Sequence, residues 1–463
     1  MGRVLFFLGM ASVINFSLPI FGQAIPYQSS PRQQRVFPPN QAWGVQPSQT
    51  IPKTPVPHGG TTRVLPDGRV VTITPFTAEQ KRQIRQREAQ RKRIKKIRER
   101  EIAQQEPNTI LYPRLAGEFE KQKAILLSVS DWQPYHYPVL SQLVEKTRGH
   151  ANLLILFNDR NQYDGKPQLP GLIKQLAKQT NNDFSHVRFL KFNLNTVWLR
   201  DFGPLVAETE SGGSMAMNFF YDTVRPLDDD FPEAWSKLTN TTHNHVPWTL
   251  QGGNLSANGY GLAITTTRLF EDNRLYRPGK TFQEDEQYVR RRVMKYCNIK
   301  ELLVLKPLEN EATRHVDMFA TFLAPNLVLV AQVDPRYDPQ NARILDWNAQ
   351  YLSQVKLDHR PLRVERIWIP PRQGEHWTPY TNIILTDKLV LLPTYQSDPP
   401  KYVKAAVQTY RKLLPKHQVK TIDMTSMKKL GGSLHCLSCS LPAFADLPQG
   451  LLTFEEASKD SGM

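Results

Sequence analysis

What most restricts the fold of this chain is a series of short apolar runs between about Asn108 and Ala445, each closed by Gly, Asn or Asp turns. "KAILLSVS", "ANLLILFN", "HVRFLKFN", "GYGLAITTT", "KELLVLKP", "NLVLVAQVD" and "KLVLLPTY" have the length and β-branched content of buried strands. Helix-compatible segments lie between several of them, at Tyr137 to Thr147, Gln283 to Tyr296 and Tyr402 to Leu414, so the expected class is α/β. Turns that carry chemically capable residues recur at a rough period: 53 residues separate Asp201 from Asn254, then 63 to Asp317, 65 to Asn382 and 54 to Cys436. Such spacing suggests repeated β-rich units whose matching loops meet on one axis, as in a propeller.

The rest of the 463-residue chain reads as appendages. Arg3, an apolar run from Val4 to about Phe21 and the small-residue pattern Gly22-Gln23-Ala24 suggest a signal peptide over residues 1–24, hence a secreted or periplasmic protein. An uncleaved anchor is the alternative, and no later run is long enough to span a membrane, so no transmembrane domain is expected in the mature chain. Residues 25–60, rich in Pro, Gln and Ser, read as a linker, and 61–76 as a small hairpin around Pro66-Asp67-Gly68. Thr77 is placed to cap a helix running to about Gln104, giving a basic arm over residues 77–106. Eleven Lys or Arg against two Glu between Lys81 and Arg100 supply much of the formal charge of +16. Without interleaved aromatics the arm predicts no specific nucleic-acid binding; it is a solvated spacer or contacts an anionic surface. Residues 108–445 form the expected catalytic domain and 446–463 a polar, frayed tail.

Five motifs bear chemistry. In "TVWLRDFGPLV" a strand-like run delivers Arg200-Asp201 into a Gly-Pro turn, where the pair serves either a cleft or a structural ion pair. "TRHVDMFATFL" sets His315 and Asp317 two apart in a strand-prone segment, which places both on one face; a metal pair competes, but no further ligand cluster appears. "KKLGGSLHCLSCSLP" puts Cys436 beside Lys428, Lys429 and His435, cations that would lower a thiol pKa. An inert buried Cys, or a redox pair with Cys439, are the other readings. "LQGGNLSANGYGLAITT" has two tight turns around Asn254, and "WTPYTNIILTDKLVLLP" offers Asn382 ahead of a hairpin at Thr386-Asp387-Lys388.

In order, W-x-R-D-x-G-P, G-G-N, H-x-D, T-N and G-G-x-x-H-C resemble the agmatine deiminase and bacterial-type peptidylarginine deiminase superfamily, and "LAGEFEKQKAILLSVS" extends the likeness. The resemblance implies a five-bladed pseudosymmetric α/β propeller with Cys436 as nucleophile, His315 as general acid/base, and Asp201 and Asp317 as catalytic guanidinium ligands. It implies Asn382 as a supporting position of the peptidylarginine branch, and Trp198 and Asn254 as substrate contacts. Such chemistry asks for no metal or organic cofactor: carboxylates grip a flat cation bidentately, a thiolate attacks its carbon, and one imidazole serves both half-reactions.

The expected substrate is a guanidino compound, peptidyl-arginine or, alternatively, agmatine. Arg225 in "NFFYDTVRPLDDD" falls where the secreted branch carries a pair of arginines that bind a terminal carboxylate, with Thr223 in the other place. Pairing of Arg225 with Asp228 to Asp230 is the structural alternative. Gln251 stands where agmatine deiminases usually have Glu. Readings from other classes are a non-catalytic surface protein that uses the arm and a thiol protease.

Overall fold

The computed structural model describes residues 113–460, apart from 131–135, 162–164, 180–182, 222–224, 276, 358 and 375, and also 61–64, 70–73 and six positions between 89 and 100. The chain divides into two units, Met1–Pro75 and Phe76–Met463. In the first, Thr61–Val64 pairs antiparallel with Val70–Ile73, a hairpin whose expected Pro-Asp-Gly turn lies outside the described residues. The expected signal peptide and linker, residues 1–60, lie outside them too. Of the basic arm, Ala89, Lys92, Arg93, Lys96, Ile97 and Arg100 are helical, and the rest of 77–106 is outside.

The second unit is α/β with mixed sheets. Five of them share one plan: an antiparallel pair, a helical crossover, then a parallel strand. Ser438–Pro442 pairs antiparallel with Gln122–Ser128, which runs parallel to Leu153–Phe157 and, through it, to Val187–Lys191. Leu205–Glu208, Ser214–Phe220 and Thr242–Thr249 follow the plan, with Arg114–Leu115 added at the edge. So do Ser256–Ala257, Leu262–Thr266 and Glu301–Leu305; Ala320–Ala324, Leu327–Gln332 and Arg363–Trp368; and Ile384–Leu385, Leu389–Thr394 and Gln418–Asp423. All seven apolar runs picked out in the sequence are strands: five are central in their sheets and rich in Leu, Ile and Val, and Val187–Lys191 and Glu301–Leu305 lie at sheet edges.

The crossover helices cover the sheets. Tyr137–Thr147 turns Val139, Leu140, Leu143 and Val144 inward at helical spacing. Phe282–Tyr296 begins with a complete capping box between Thr281 and Glu284 and buries Val289, Val293 and Tyr296. Pro400–Leu413 has Pro in its first turn and Arg411 and Lys412 in its last, where its dipole favours cations.

The expected frayed tail is a correction. Leu452 exchanges backbone hydrogen bonds with Phe189, and the helix Phe454–Asp460 buries Ala457 and stacks Phe454 on Phe184 at 3.7 Å between centroids. The aromatic stack, the burial of Ala457 and the backbone pairing of Leu452 act together to dock the segment, which its polar composition did not signal. Phe454→Ala is expected to lower stability by about 1–3 kcal/mol, read as a fall in the urea midpoint at unchanged slope.

Candidate active site

In each of the five sheets, the residues singled out as chemistry-bearing sit just before the first strand of the antiparallel pair. Leu199–Phe202 precedes Leu205–Glu208, Gly252–Asn254 precedes Ser256–Ala257, and Val316–Met318 precedes Ala320–Ala324. Asn382 precedes Ile384–Leu385, and His435–Leu437 precedes Ser438–Pro442. Helix Leu199–Phe202 touches both Gly252–Asn254 and His435–Leu437, and Gly252–Asn254 touches Val316–Met318, so the turns meet.

Three of these turns are not the strand ends expected from sequence. Asp201 lies in a single helical turn, Asp317 in a 3-10 turn with His315 as its N-cap, and Cys436 in another 3-10 turn. Local hydrogen bonding decides this. The buried Glu311 carboxylate accepts from the backbone of Thr313 and Arg314, and Arg314 is left-handed at φ 57°, so the chain cannot enter the strand before Ala320. His315 and Asp317 still reach one pocket, but by turn geometry rather than by strand alternation.

Gly253 marks the centre of that pocket. A methyl group there would stand 2.8 Å from His315 Nδ1, 2.9 Å from Asp201 Oδ1 and 3.1 Å from Asp317 Oδ2. His315 Nδ1 is 3.5 Å from Asp201 Oδ1. Asp201 Oδ1, Asp317 Oδ1 and both ring nitrogens of His315 are buried without a hydrogen-bond partner among the described residues. Polar atoms in a dry wall normally find partners, so this cluster is built to receive a donor-rich ligand. Cys436, 4% exposed, points its thiol at Asp317 Oδ2 from 3.9 Å.

The charges follow from this burial. Desolvation, by walls such as Phe202, Leu205, Met217 and Phe219, together with the neighbouring Asp317 raises the Asp201 carboxyl to about 7. Burial lowers His315 to about 4 despite Asp317, so its imidazole is neutral. Burial first, then Asp317 and Asp201, pushes the Cys436 thiol well above its ordinary range. This reverses the expectation of a thiol acidified by basic neighbours. Lys428 bonds instead to Gln373 and Ser397, and His435 is turned to Asp317 and Glu118.

Other expected contacts act on the protein itself. Asn254, 2% exposed, does not face the pocket; its Oδ1 accepts from the backbone of Thr266 and of Val316 and so pins the His315 turn. Asn382 Nδ2 donates to Cys436 Sγ at 3.5 Å while its Oδ1 accepts from the His435 backbone at 2.9 Å, which fixes the Cys436 turn. The Trp198 ring packs on Gly432, where any Cβ would overlap it, and so wedges the loop leading to Cys436. Arg225 Nη1 donates to the Tyr221 hydroxyl at 2.7 Å, and Tyr221 shares with Asp201 the lining of one cavity. Asp228, the expected alternative partner of Arg225, accepts from Asn195 and Thr196.

Sequence reasoning missed a partly buried ionic chain behind Asp317. Arg200 pairs not with Asp201 but with Glu118, and Glu118 accepts from His435 Nε2 at 2.8 Å. His435 Nδ1 in turn bonds Asp317 Oδ2 at 2.8 Å. Glu118 stood in the quoted segment "LAGEFEKQ", but only the tertiary structure brings it within reach of residues 200 and 435.

The model of the Porphyromonas-type peptidyl-arginine deiminases matches residues 114–442. The chain belongs to that family. Its activity class is therefore that of an arginine- or agmatine-type deiminase, not a thiol protease or a non-catalytic surface protein. Among curated proteins, the chain is 23% identical over 293 residues to a putative agmatine deiminase of Mycoplasma mycoides, covering 56% of this chain and 78% of that protein. It is 22% identical over 373 residues to a putative agmatine deiminase of Latilactobacillus sakei, covering 71% and 96%. A putative arginine deiminase from Porphyromonas gingivalis shares the fold at TM-score 0.59 and 20% identity, over 73% of this chain and 99% of its own. A C. jejuni agmatine deiminase variant solved with substrate bound gives TM-score 0.58 at 19% identity, over 72% and 97%.

Because a side chain at residue 253 would occupy the space between the two acids and His315, Gly253→Ala should cut kcat/KM for ammonia release from a guanidino substrate by about 100-fold or more. Its thermal midpoint should stay within a few degrees of the parent's, measured side by side.

Proposed function

We propose that the protein converts peptidyl-arginine to peptidyl-citrulline and ammonia through a covalent thiouronium on Cys436. The observation that carries this reading is the convergence of Asp201, Asp317 and His315 around Gly253, with the Cys436 thiol against Asp317. A guanidinium is flat, permanently charged and rich in forked donors, which suits two acids whose oxygens lack partners.

The steps follow from the charges. Guanidinium binding favours the carboxylate of Asp201, and the bound cation offsets the two acids that hold the thiol protonated. Neutral His315 takes the thiol proton, directly or over one water, while sulfur bonds to the guanidinium carbon. His315 then returns that proton to the departing nitrogen, the C–N bond breaks, and ammonia leaves a thiouronium. Water attacks the same carbon with His315 accepting its proton, the C–S bond breaks, and the ureido product and the thiol are restored. Asp201 and Asp317 orient the carbon throughout, and Asn382 and Asn254 hold the turns that present Cys436 and His315.

Charge at the site favours arginine over agmatine. Arg225 and Arg268 both act on Asp201, and Gln251 brings no acid to meet a second cation. Agmatine ends in an ammonium, which those arginines oppose, whereas a peptide's terminal carboxylate is attracted. The names of the curated relatives favour agmatine as the second reading. In the same reading the five mixed sheets are blades of one pseudosymmetric propeller, the N-terminal apolar run exports the chain, and the basic arm contacts an anionic surface.

Mass spectrometry of arginyl peptides should find a gain of about one dalton at arginine, abolished by Cys436→Ser; turnover of agmatine alone would reject the peptide substrate. Since the substrate cation binds the carboxylate of Asp201, kcat/KM should rise with pH through about 7 and level off above it. Arg225→Ala should raise KM for peptides ending in arginine by about tenfold, with a smaller change in kcat.

A further inference from the structure

Arg200, Glu118 and His435 take no part in the chemistry described above, yet the ionic chain they form ends on one of its acids, Asp317. Arg200 is 5% exposed and pairs with Glu118. His435 is enclosed between two carboxylates, with Nε2 2.8 Å from Glu118 Oε2 and Nδ1 2.8 Å from Asp317 Oδ2. A neutral imidazole carries a single N–H, so it could donate to only one of these acceptors. Two short contacts from opposite ring nitrogens to two carboxylates are met by the doubly protonated ring, whose two N–H groups donate one to each acid.

We infer that His435 is a positioning residue, an imidazolium held between Glu118 and Asp317 that occupies Oδ2 of Asp317 and leaves its Oδ1 to the substrate. Because Asp317 is a guanidinium ligand only under the function proposed above, the inference rests on that reading.

Geometry around the ring supports the assignment. The His435 backbone N–H is fixed by the Asn382 side chain at 2.9 Å, which anchors the turn that carries both the ring and Cys436. Asp317 Oδ1 has no partner among the described residues, whereas Oδ2, the oxygen nearest Gly253 and the Cys436 thiol, already meets the ring, so Oδ1 is the one left to accept from a ligand. Formal charges balance within the chain, two cations against two anions, so the partly buried network can stay ionised and spares Asp201 as the acid that answers the substrate's charge. The groups acting on the ring come from three separate segments. Burial and the Arg200 cation lower the affinity of His435 for its second proton, and Glu118 and Asp317 more than restore it. Glu118, which burial alone would raise, is drawn down to about 2 by Arg200 and His435, and so is an anion near neutral pH.

The test has two arms on the full chain. In the first, histidines are labelled with nitrogen-15 and the ring signals titrated, His435→Asn identifying the resonance that belongs to residue 435. A ring that stays doubly protonated up to pH about 8 supports the inference, and a ring already neutral at pH about 7 overturns it, whether or not any substrate is turned over. In the second, pH profiles of kcat/KM are compared for the parent, Glu118→Gln and His435→Asn. With Glu118 neutral the ring should lose its proton earlier, so Glu118→Gln should lose about tenfold more activity at pH about 8.5 than at pH about 6.5. His435→Asn, whose amide nitrogen can still donate to Asp317 but does not titrate, should show no such added slope. A uniform loss across pH in Glu118→Gln would mean a merely structural role and would overturn the inference. If the parent turned over neither arginyl peptides nor agmatine, the proposed function would fall by itself, and the ring titration would still decide the charge of His435.

Discussion

Two acids that face each other across a dry cleft set the terms for the whole site. Asp201 and Asp317 approach a common point beside Gly253, where water cannot screen them, and the result is visible in Asp201, raised to about 7 by burial and by its neighbour. A thiol in the same field resists ionisation, and an imidazole there resists protonation. The charges lining the cleft therefore suit one kind of ligand, a cation with donors on more than one edge. A thiol in such a pocket stays protonated while the acids around it are unopposed, and a protonated thiol is a poor nucleophile.

The scaffold builds this cleft by repetition. Five sheets of one plan each offer the turn before their first antiparallel strand, and those turns come together. Each then needs only a local device to aim its side chain. Asn254 draws the Val316 backbone toward itself, Asn382 ties the Cys436 turn to that of Asp317, and Trp198 lies on Gly432 where no other residue would leave room. Behind Asp317, the alternation of Arg200, Glu118 and His435 supplies the opposite charges that the cleft lacks.

Much of this was legible before any coordinates. The seven apolar runs became strands because buried strands are rich in Leu, Ile and Val, and three of the crossover helices lie where helix-compatible segments were read, whereas Pro339–Ser353 was not picked out. The residues Asp201, His315, Asp317 and Cys436 were picked out by type and by turn, and they do converge. The reasons attached to some of them were wrong. His315 and Asp317 were put on a strand, but the Glu311 carboxylate and a left-handed Arg314 hold them in a 3-10 turn. Cys436 was expected among cations, but its sequence neighbours Lys428 and His435 point elsewhere, and acids from distant turns surround it.

Sequence by itself determined the kinds of element and the chemical types available at their ends, because apolar period, caps and turn residues act over a few positions along the chain. It also determined the family, through the order of its motifs. Which side chains share a cleft, which oxygen of Asp317 is occupied, and whether Arg200 answers its neighbour Asp201 or the remote Glu118 were decided only in three dimensions. Coulomb energies and desolvation depend on distance through space and on what excludes water, and neither quantity is written in the spacing of residues along a chain.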